Sequence, residues 1–143
     1  MCKVRAVKVF VDTGAWVALL APGDVHHAHA RETFAELLSR NALMVTSNYI
    51  IDETVTWLRM RAGHADAAAF RDIIARSQEC NRLHLAWVSE SVEQKAWELF
   101  MQHPGLKLSL TDCTSAVLVA ELKLAILTYD SDFAALGCRV WPD

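Results

Sequence analysis

One stretch near the start of the chain decides its fold: Val7-Lys8-Val9-Phe10-Val11-Asp12-Thr13. Valines at alternating positions, with an aromatic residue between them, predict a buried β-strand over residues 7–11. The strand ends directly on Asp12, and burying a carboxylate costs free energy unless it is paired or binds a cation. Open α/β sheets bind ligands beyond the carboxyl ends of their strands, which is where Asp12 lies. This stretch therefore predicts both a sheet and a polar site at its edge.

Length and composition narrow the class of protein. The chain has 143 residues, which predicts one domain over residues 1–143 with a substantial core. It is 53% hydrophobic and 22% charged, which is typical of a compact globular protein. The formal net charge is −3, so any contact with nucleic acid would depend on local basic patches rather than on a global positive field.

The sequence favours a cytoplasmic protein. The basic, apolar start resembles an export signal, but Asp12 interrupts the apolar run and opposes membrane insertion. No apolar stretch reaches the roughly 18 residues that a spanning helix needs. No C-x-x-C pair occurs among the cysteines, and their spacing predicts free thiols in a reducing compartment. They are Cys2, Cys80, Cys113 and Cys138.

Predicted strands and helices alternate along the chain. After the first strand, strands are expected over residues 43–46, 83–88, 125–128 and 138–141. Helices are expected over residues 14–21, 25–40, 48–61, 64–79, 89–103 and 111–123, with a short helix within 129–136. Thr13 is expected to cap the first helix, and Ser47 or Asn48 the third. This alternation predicts an α/β protein with a mostly parallel sheet of about five strands.

Further carboxylates follow the later strands. Glu53 lies in the second turn of the third helix, Asp112 in the first turn of the sixth, and Asp130 and Asp132 directly after the strand 125–128. In a parallel sheet these positions share one edge with Asp12. So many like charges together are unfavourable without a cation, and hard oxygen ligands suit Mg²⁺ or Mn²⁺. The pattern indicates a metal site.

Each acid also has an ordinary structural interpretation, which the sequence leaves open. Asp112 suits the first turn of any helix, Asp130 and Asp132 suit a turn, and Glu53 beside Asp52 suits a solvated helix face. If the site exists, repulsion among the acids predicts that an Asn substitution stabilises the metal-free fold. Asp130 is expected to be the cleaner test, because it is not predicted to lie at a helix N-terminus.

Four segments, in order along the chain, carry a resemblance to a known family. They are VDT at 11–13, TSNYIIDET at 46–54, LSLTDCTS at 108–115 and LTYDSDF at 127–133. Together they look like the PIN-domain family and, more narrowly, like the VapC-type toxins of bacterial and archaeal toxin–antitoxin pairs. The likeness covers nearly the whole chain.

The resemblance implies a three-layer α/β/α fold and a metal-dependent endoribonuclease. It implies that the family's acidic quartet is matched by Asp12, Glu53, Asp112 and Asp130, with Asp132 as an auxiliary ligand. Ser131 departs from the family pattern, in which a basic residue is common between the last two acids.

Such a site implies a defined chemistry with Mg²⁺ or Mn²⁺. The three aspartates of the quartet are expected to bind one or two ions, directly or through water, and to place a phosphate oxygen between them. Glu53 is expected to orient the attacking water or accept its proton. Thr13 and Thr128 are candidate donors to these acids, although capping and strand packing explain them equally simply.

The leading hypothesis is therefore an RNA-cleaving toxin that is held in check by a small antitoxin protein and forms a homodimer. One alternative is a stand-alone PIN nuclease in RNA processing or repair. Another is a catalytically silent domain that binds RNA or a partner, although the complete acid set argues against it.

A histidine cluster stands apart from the acids. His26 and His29 would share a helix face beside His27, and a transition-metal site is conceivable there. A solvated helix start explains the cluster more simply, because no third ligand lies at the usual spacing.

Basic and aromatic residues have two interpretations each. Arg59, Arg61 and Lys107 would face RNA at the rim of the site or lie on a solvated surface. Trp16 and Trp57, among apolar helix neighbours, are expected in the core or at a subunit interface rather than as base-stacking surfaces.

Overall fold

A computed structural model describes residues 6–142, in which four strands alternate with seven helices. The strands are β1 (Lys8–Val11), β2 (Leu43–Ser47), β3 (Leu83–Ala86) and β4 (Ala125–Leu127). The helices are α1 (Thr13–Leu20), α2 (His27–Ser39), α3 (Asn48–Arg61), α4 (His64–Glu79), α5 (Glu90–Gln102), α6 (Leu110–Leu122) and α7 (Asp132–Ala135). The predicted α/β class is confirmed.

The four strands form one parallel sheet in the order β3-β2-β1-β4. β1 is central, and its Phe10 is in register with Val45 on one side and Ile126 on the other. The chain moves outward from β1 through β2 to β3, then crosses back to place β4 on the opposite side of β1. The order of strands therefore reverses between β1 and β4, and such a switch point opens a crevice at the carboxyl ends of the strands.

The predicted fifth strand is reduced to a single bridge. Residues 138–141 pair with β4 only through Val140 and Ile126, supported by hydrogen bonds from the Ile126 N–H to Arg139 and from the Trp141 N–H back to Ile126. Gly137, with a left-handed φ of 82°, ends the preceding turn, and Pro142 has no N–H to extend the pairing. The sheet therefore has four strands rather than five in the described part of the chain.

Helices cover both faces of the sheet. α1 packs on α2 and α3, and α3 packs on α4, whereas α5 packs chiefly on α6. Crossovers between parallel strands are right-handed in nearly all proteins, which predicts the helices between β1 and β3 on one face and α5 and α6, on the return path, on the other. Trp16 lies in the core against Phe34 and Phe70, and its indole N–H donates to Thr46. Its predicted core position is confirmed.

Three of the predicted boundaries that shift have an identifiable cause. Helix α1 begins one residue early, so Asp12 rather than Thr13 occupies its N-cap position. Helix α2 begins at His27 because the Asp24 side chain accepts the His26 N–H in a turn that precedes the helix. β3 ends at Ala86, two residues early, because the Val88 N–H donates to the side chain of Asn48 instead of to a strand.

No helix within residues 6–142 is long and apolar enough to cross a membrane.

Candidate active site

An open pocket of about 520 Å³ lies at the switch point between β1 and β4. The predicted quartet meets there, since Asp12 follows β1, Glu53 comes from α3, Asp112 from α6 and Asp130 from the turn after β4. The full lining is Asp12, Thr13, Gly14, Asp24, His26, Glu53, Asp112, Tyr129, Asp130 and Ser131. Four elements that are distant in sequence thus bring their carboxylates to one crevice.

Asp12 is the most confined of these acids, with only 5% of its surface exposed. Its Oδ2 accepts a hydrogen bond of 2.9 Å from the Thr128 hydroxyl. Burial raises the pKa of Asp12 to about 7, the Thr128 hydrogen bond opposes this rise, and the charges of Asp112 and Glu53 add to it. Asp12 is thus costly to ionise unless a cation approaches it.

Asp112 has two roles that the sequence presented as alternatives. It lines the pocket, and it also forms a capping box, in which the Asp112 N–H donates to the Ser109 hydroxyl and Asp112 Oδ2 accepts from the Ser109 N–H. Burial raises the pKa of the Asp112 carboxyl, hydrogen bonds from Ser109 lower it, and the charges of Glu53 and Asp130 raise it further. Helix capping therefore fixes the orientation of a pocket carboxylate.

Asp130 is held by a chain of three hydrogen bonds. Its N–H donates to the Thr128 hydroxyl, which itself donates to Asp12, and its Oδ1 accepts the N–H of Asp132 at the start of α7. Asp130 therefore does hold a helix start, and the expectation that it lies away from any helix N-terminus was wrong. Asp132 contributes its N–H to this turn, while its side chain is not part of the pocket lining.

Glu53 is half-buried in the second turn of α3. No hydrogen bond or ion pair holds its carboxylate within residues 6–142, where the ion pairs are Arg40–Glu36 and Lys95–Glu121. No lysine or arginine among residues 6–142 lines the pocket. The acids are therefore left without a protein cation.

The pocket fits a hard divalent cation by its donor chemistry. Its side-chain donors are carboxylate and hydroxyl oxygens apart from one histidine, and the buried Thr13 hydroxyl that lines it has no hydrogen-bond partner. No three carboxylate, imidazole or thiol side chains in the described residues are close enough to surround an ion directly. Mg²⁺ suits this spacing, because it keeps several waters and binds through one or two carboxylates.

Aromatic side chains form one rim of the pocket, and the sequence did not predict them there. The His26 ring stacks on Tyr129 with centroids 4.2 Å apart and planes 6° apart, and His29 Nδ1 is hydrogen-bonded to the Tyr129 hydroxyl at 2.7 Å. His27 instead contacts the carbonyl of Ala18. The position of Tyr129 between Thr128 and Asp130 was the available signal, since a residue within the loop after a strand is carried to the same edge.

The predicted basic contacts lie elsewhere. Arg59, Arg61 and Lys107 are exposed and none lines the pocket. Arg61 lies over the ring of half-buried Trp57 at 5.1 Å. These residues thus form no part of the pocket wall.

Comparison with known proteins agrees with this geometry. The model of the PIN domain family matches residues 9–137. The 23S rRNA-specific endonuclease VapC20 of Mycobacterium tuberculosis is 32% identical over 130 residues, covering 90% of this chain and 94% of that protein. A VapC ribonuclease of Archaeoglobus fulgidus is 30% identical over 135 residues, covering 92% and 83%.

Solved structures show the same fold. The crystal structure of Mycobacterium tuberculosis VapC20, described as a sarcin-ricin loop cleaving toxin, matches with a TM-score of 0.78 at 31% identity, over 91% of this chain and 95% of that one. VapBC2 of Rickettsia felis matches with a TM-score of 0.68 at 16% identity, over 94% and 96%. With the family model spanning nearly the whole chain and relatives of this similarity, the chain belongs to the PIN-domain family and, within it, to the VapC type.

Proposed function

We propose that this chain is an endoribonuclease that hydrolyses RNA phosphodiester bonds with the help of Mg²⁺ or Mn²⁺. The observation that carries the proposal is the convergence of four carboxylates from four elements in one pocket, which no lysine or arginine of the described residues lines. Nuclease pockets of this kind hold divalent ions that clamp the scissile phosphate. The names of the two relatives above, an endonuclease and a ribonuclease, support the same activity.

Each side chain has a role in this reaction. Asp12, Asp112 and Asp130 would hold the metal, directly or through water, with Asp132 as an outer contact. The orientation of the three pocket carboxylates is set by hydrogen bonds to Thr128, Ser109 and the α7 N-terminus. When bound, the ion would supply Lewis-acid activation of water and of the phosphate. A carboxylate oxygen of Glu53 would accept the proton of the water as its oxygen attacks phosphorus and the bond to the leaving oxygen breaks. That proton then passes to the leaving oxygen.

The substrate class we propose is RNA with a single-stranded or looped segment. Paired A-form RNA presents a deep and narrow major groove, whereas loops splay out bases and expose the backbone. VapC20, which is named for cleavage of 23S rRNA, makes ribosomal RNA the first substrate to test.

The test is divalent-dependent cleavage by the purified chain. Cellular RNA or ribosomes should be cut with Mg²⁺ or Mn²⁺ and left intact with chelator. Asp12→Asn, Asp112→Asn and Asp130→Asn should each lose most of the activity while keeping a native circular dichroism spectrum. Asp52→Asn is a matched control, since Asp52 is exposed on α3 beside Glu53 and does not line the pocket. Wild-type cleavage rates in any pocket variant would remove that residue from the site.

We further propose that the chain, as a single domain over residues 1–143, is the toxin of a type II toxin–antitoxin pair, acts in the cytoplasm and forms a homodimer. Cys80, Cys113 and Cys138 are free thiols, which suits a reducing compartment. Exposed Trp97 and Met101 on α5 offer apolar surface for a second copy. Sedimentation of the purified chain tests the dimer, and toxicity of induced wild type against Asp112→Asn tests the toxin role.

An antitoxin should cover the pocket. Helices α1, α2 and α4 line an apolar groove of about 280 Å³ in which Leu38 and Ile73 are exposed. The groove shares no residue with the pocket, so a small protein anchored there would block RNA by extending from the groove over the pocket. The gene upstream is the first candidate for this partner, and its absence favours a stand-alone nuclease. A complex that cleaves RNA as fast as the free chain would contradict inhibition by occlusion.

A further inference from the structure

The aromatic rim of the pocket is not used by the acid chemistry. Tyr129 packs partly into the core, His26 stacks on its ring, and His29 meets it edge-on at an interplanar angle of 78° while bonding its hydroxyl. Tyr129 is half-buried, whereas His26 is exposed and lines the pocket. We call Tyr129 and His26 the ring stack. Its inner ring is anchored, and its outer ring has surface open to solvent.

The negative charges of the pocket oppose the RNA backbone, so a contact that needs no charge would help RNA to bind. Asp24 adds a fifth carboxylate to the quartet in the pocket lining, to which the part of the chain that the structure describes contributes no lysine or arginine. A phosphate backbone approaching this wall meets like charges, which metal ions neutralise only locally. Stacking of a base on a ring needs no charge and tolerates every base, because every base has a flat aromatic face.

The position of the ring stack selects which base it meets. Tyr129 directly precedes Asp130, a proposed metal contact, and both line the same pocket. A nucleotide whose phosphate lies at the acids therefore places a neighbouring base within reach of His26. Only an unpaired base is free to leave its own stack for this surface.

We propose that the ring stack of Tyr129 and His26 binds an unpaired RNA base next to the scissile phosphate, and that His29 positions the stack through the Tyr129 hydroxyl. This inference rests on the proposed nuclease function and adds the substrate feature that the pocket selects. His26 contacts the base with its ring face, whereas His29 acts only through Tyr129.

The first experiment measures stacking without cleavage. The probes are short oligouridine strands that carry one 2-aminopurine at successive positions, bound with Mg²⁺ to Asp112→Asn, which is expected not to cleave. Stacking on a ring should quench the fluorescence of the probe at one position. Adding His26→Ala should abolish this quenching and weaken binding by about fivefold or more, which corresponds to ~1 kcal/mol. Adding His64→Ala is the matched control, because His64 is an exposed histidine outside the pocket.

The second experiment separates the ring face from the ring nitrogens. His26→Phe keeps a flat ring and should retain quenching and affinity, and in the otherwise wild-type chain it should retain KM. His26→Ala should raise KM with a smaller change in kcat. If His26→Phe loses as much quenching and affinity as His26→Ala, His26 acts through a proton or a hydrogen bond, and the inference is overturned. If a probe with an abasic ribose at the quenched position binds as tightly as the probe that carries a base there, the inference is also overturned.

The third experiment tests His29 as a positioning residue. Tyr129→Phe removes the hydroxyl that His29 contacts, so His29→Ala and Tyr129→Phe should each reduce quenching and have no further effect when combined. Additive losses would show that His29 acts independently of Tyr129. Failure of the nuclease proposal is distinguishable, because it appears as absent cleavage by wild type, whereas failure of this inference appears as unquenched probes or unchanged KM in a chain that cleaves.

Discussion

At the scale of single residues, the burial of Asp12 should make the free energy of unfolding depend on pH. Its pKa in the fold is about 7 against an ordinary value of 3.8, chiefly because of burial. Between these values the folded state holds a proton that the unfolded state has released, so stability falls as pH rises from about 4 to 7. Asp12→Asn should remove the contribution of Asp12 to this fall and be more stable than wild type at pH 8 in chelator, by up to ~4 kcal/mol.

Urea unfolding at pH 4 and pH 8 checks this prediction. Asn is an equally good N-cap residue for α1, and its carbonyl still accepts the Thr128 hydroxyl, so little else changes. The two proteins should converge in stability near pH 4. If the variant is less stable than wild type at pH 8, the buried charge of Asp12 does not destabilise the metal-free fold, and the prediction is wrong.

Thr128 is predicted to matter for cleavage because its hydroxyl joins two pocket acids. It donates to Asp12 Oδ2 and accepts the N–H of Asp130. Thr128→Val keeps the shape and removes both bonds, and cleavage should fall about 10- to 100-fold, as is usual for groups that orient metal ligands. Thr33→Val, at a buried threonine in α2 outside the pocket, should cleave at the wild-type rate.

The sequence predicted the acids and named Thr128 as a candidate donor to them, but it did not predict which acids Thr128 would hold. Asp12 is recognisable because a carboxylate at the end of an apolar strand is costly. The link from Thr128 to Asp12 spans 116 positions in sequence, and no local pattern encodes a contact between residues so far apart. Tyr129 and His26 were missed for the same reason, because their stacking depends on the turn at Asp24 that precedes α2.

At the scale of elements, the N-terminus of α6 joins stability to activity. Ser109→Ala removes the hydroxyl that accepts the Asp112 N–H and should cost about 0.5–2 kcal/mol of stability. The backbone N–H of residue 109 that holds the Asp112 carboxylate remains, but the helix start that positions both groups loosens, so cleavage should also fall. Unfolding curves and cleavage rates of the same preparation test both effects.

Ser89→Ala is the matched control for this prediction. Ser89 caps α5 through the Val92 N–H and lies outside the pocket, so its loss should cost similar stability without a fall in cleavage at temperatures where both variants are folded. Equal cleavage by the two variants would show that the capping box does not support the site.

Element types were predictable because their patterns are local, whereas their ends were less so. Ser47 and Ser89 stand at helix starts that the sequence marked correctly. The end of β3 depends on the distant side chain of Asn48, and the last strand depends on whether a partner edge continues beside Val140. Both are tertiary effects that propensity does not contain.

At the scale of the whole molecule, strand order creates the site. The alternation of strands and helices predicted a parallel sheet, but nothing in it states that β4 lies beside β1 rather than beyond β3. That choice brings Asp130 next to Asp12 and opens the crevice. The acids themselves favoured this arrangement, since four carboxylates at one edge of the sheet are unfavourable without a cation and each alone has an ordinary structural interpretation.

Metal binding should therefore stabilise the whole fold, and this prediction separates one shared site from scattered acids. An ion that binds only the folded chain adds RT ln(1 + [L]/Kd) to its free energy of unfolding, or about 2.7 kcal/mol at an ion concentration 100 times Kd.

The melting temperature of wild type should rise with Mg²⁺ or Mn²⁺ at fixed ionic strength, with Na⁺ as the control for screening. In chelator, the melting temperatures of Asp12→Asn and Asp130→Asn should equal or exceed that of wild type, because each substitution removes a repulsion between carboxylates. With Mg²⁺ or Mn²⁺ their melting temperatures should rise less than that of wild type, because each substitution also removes a metal ligand. Of the two, Asp12→Asn is the sharper test, since the Asp130 side chain also holds the start of α7. A variant that responds to Mn²⁺ as wild type does would mean that its carboxylate takes no part in the metal site, whatever its place in the pocket.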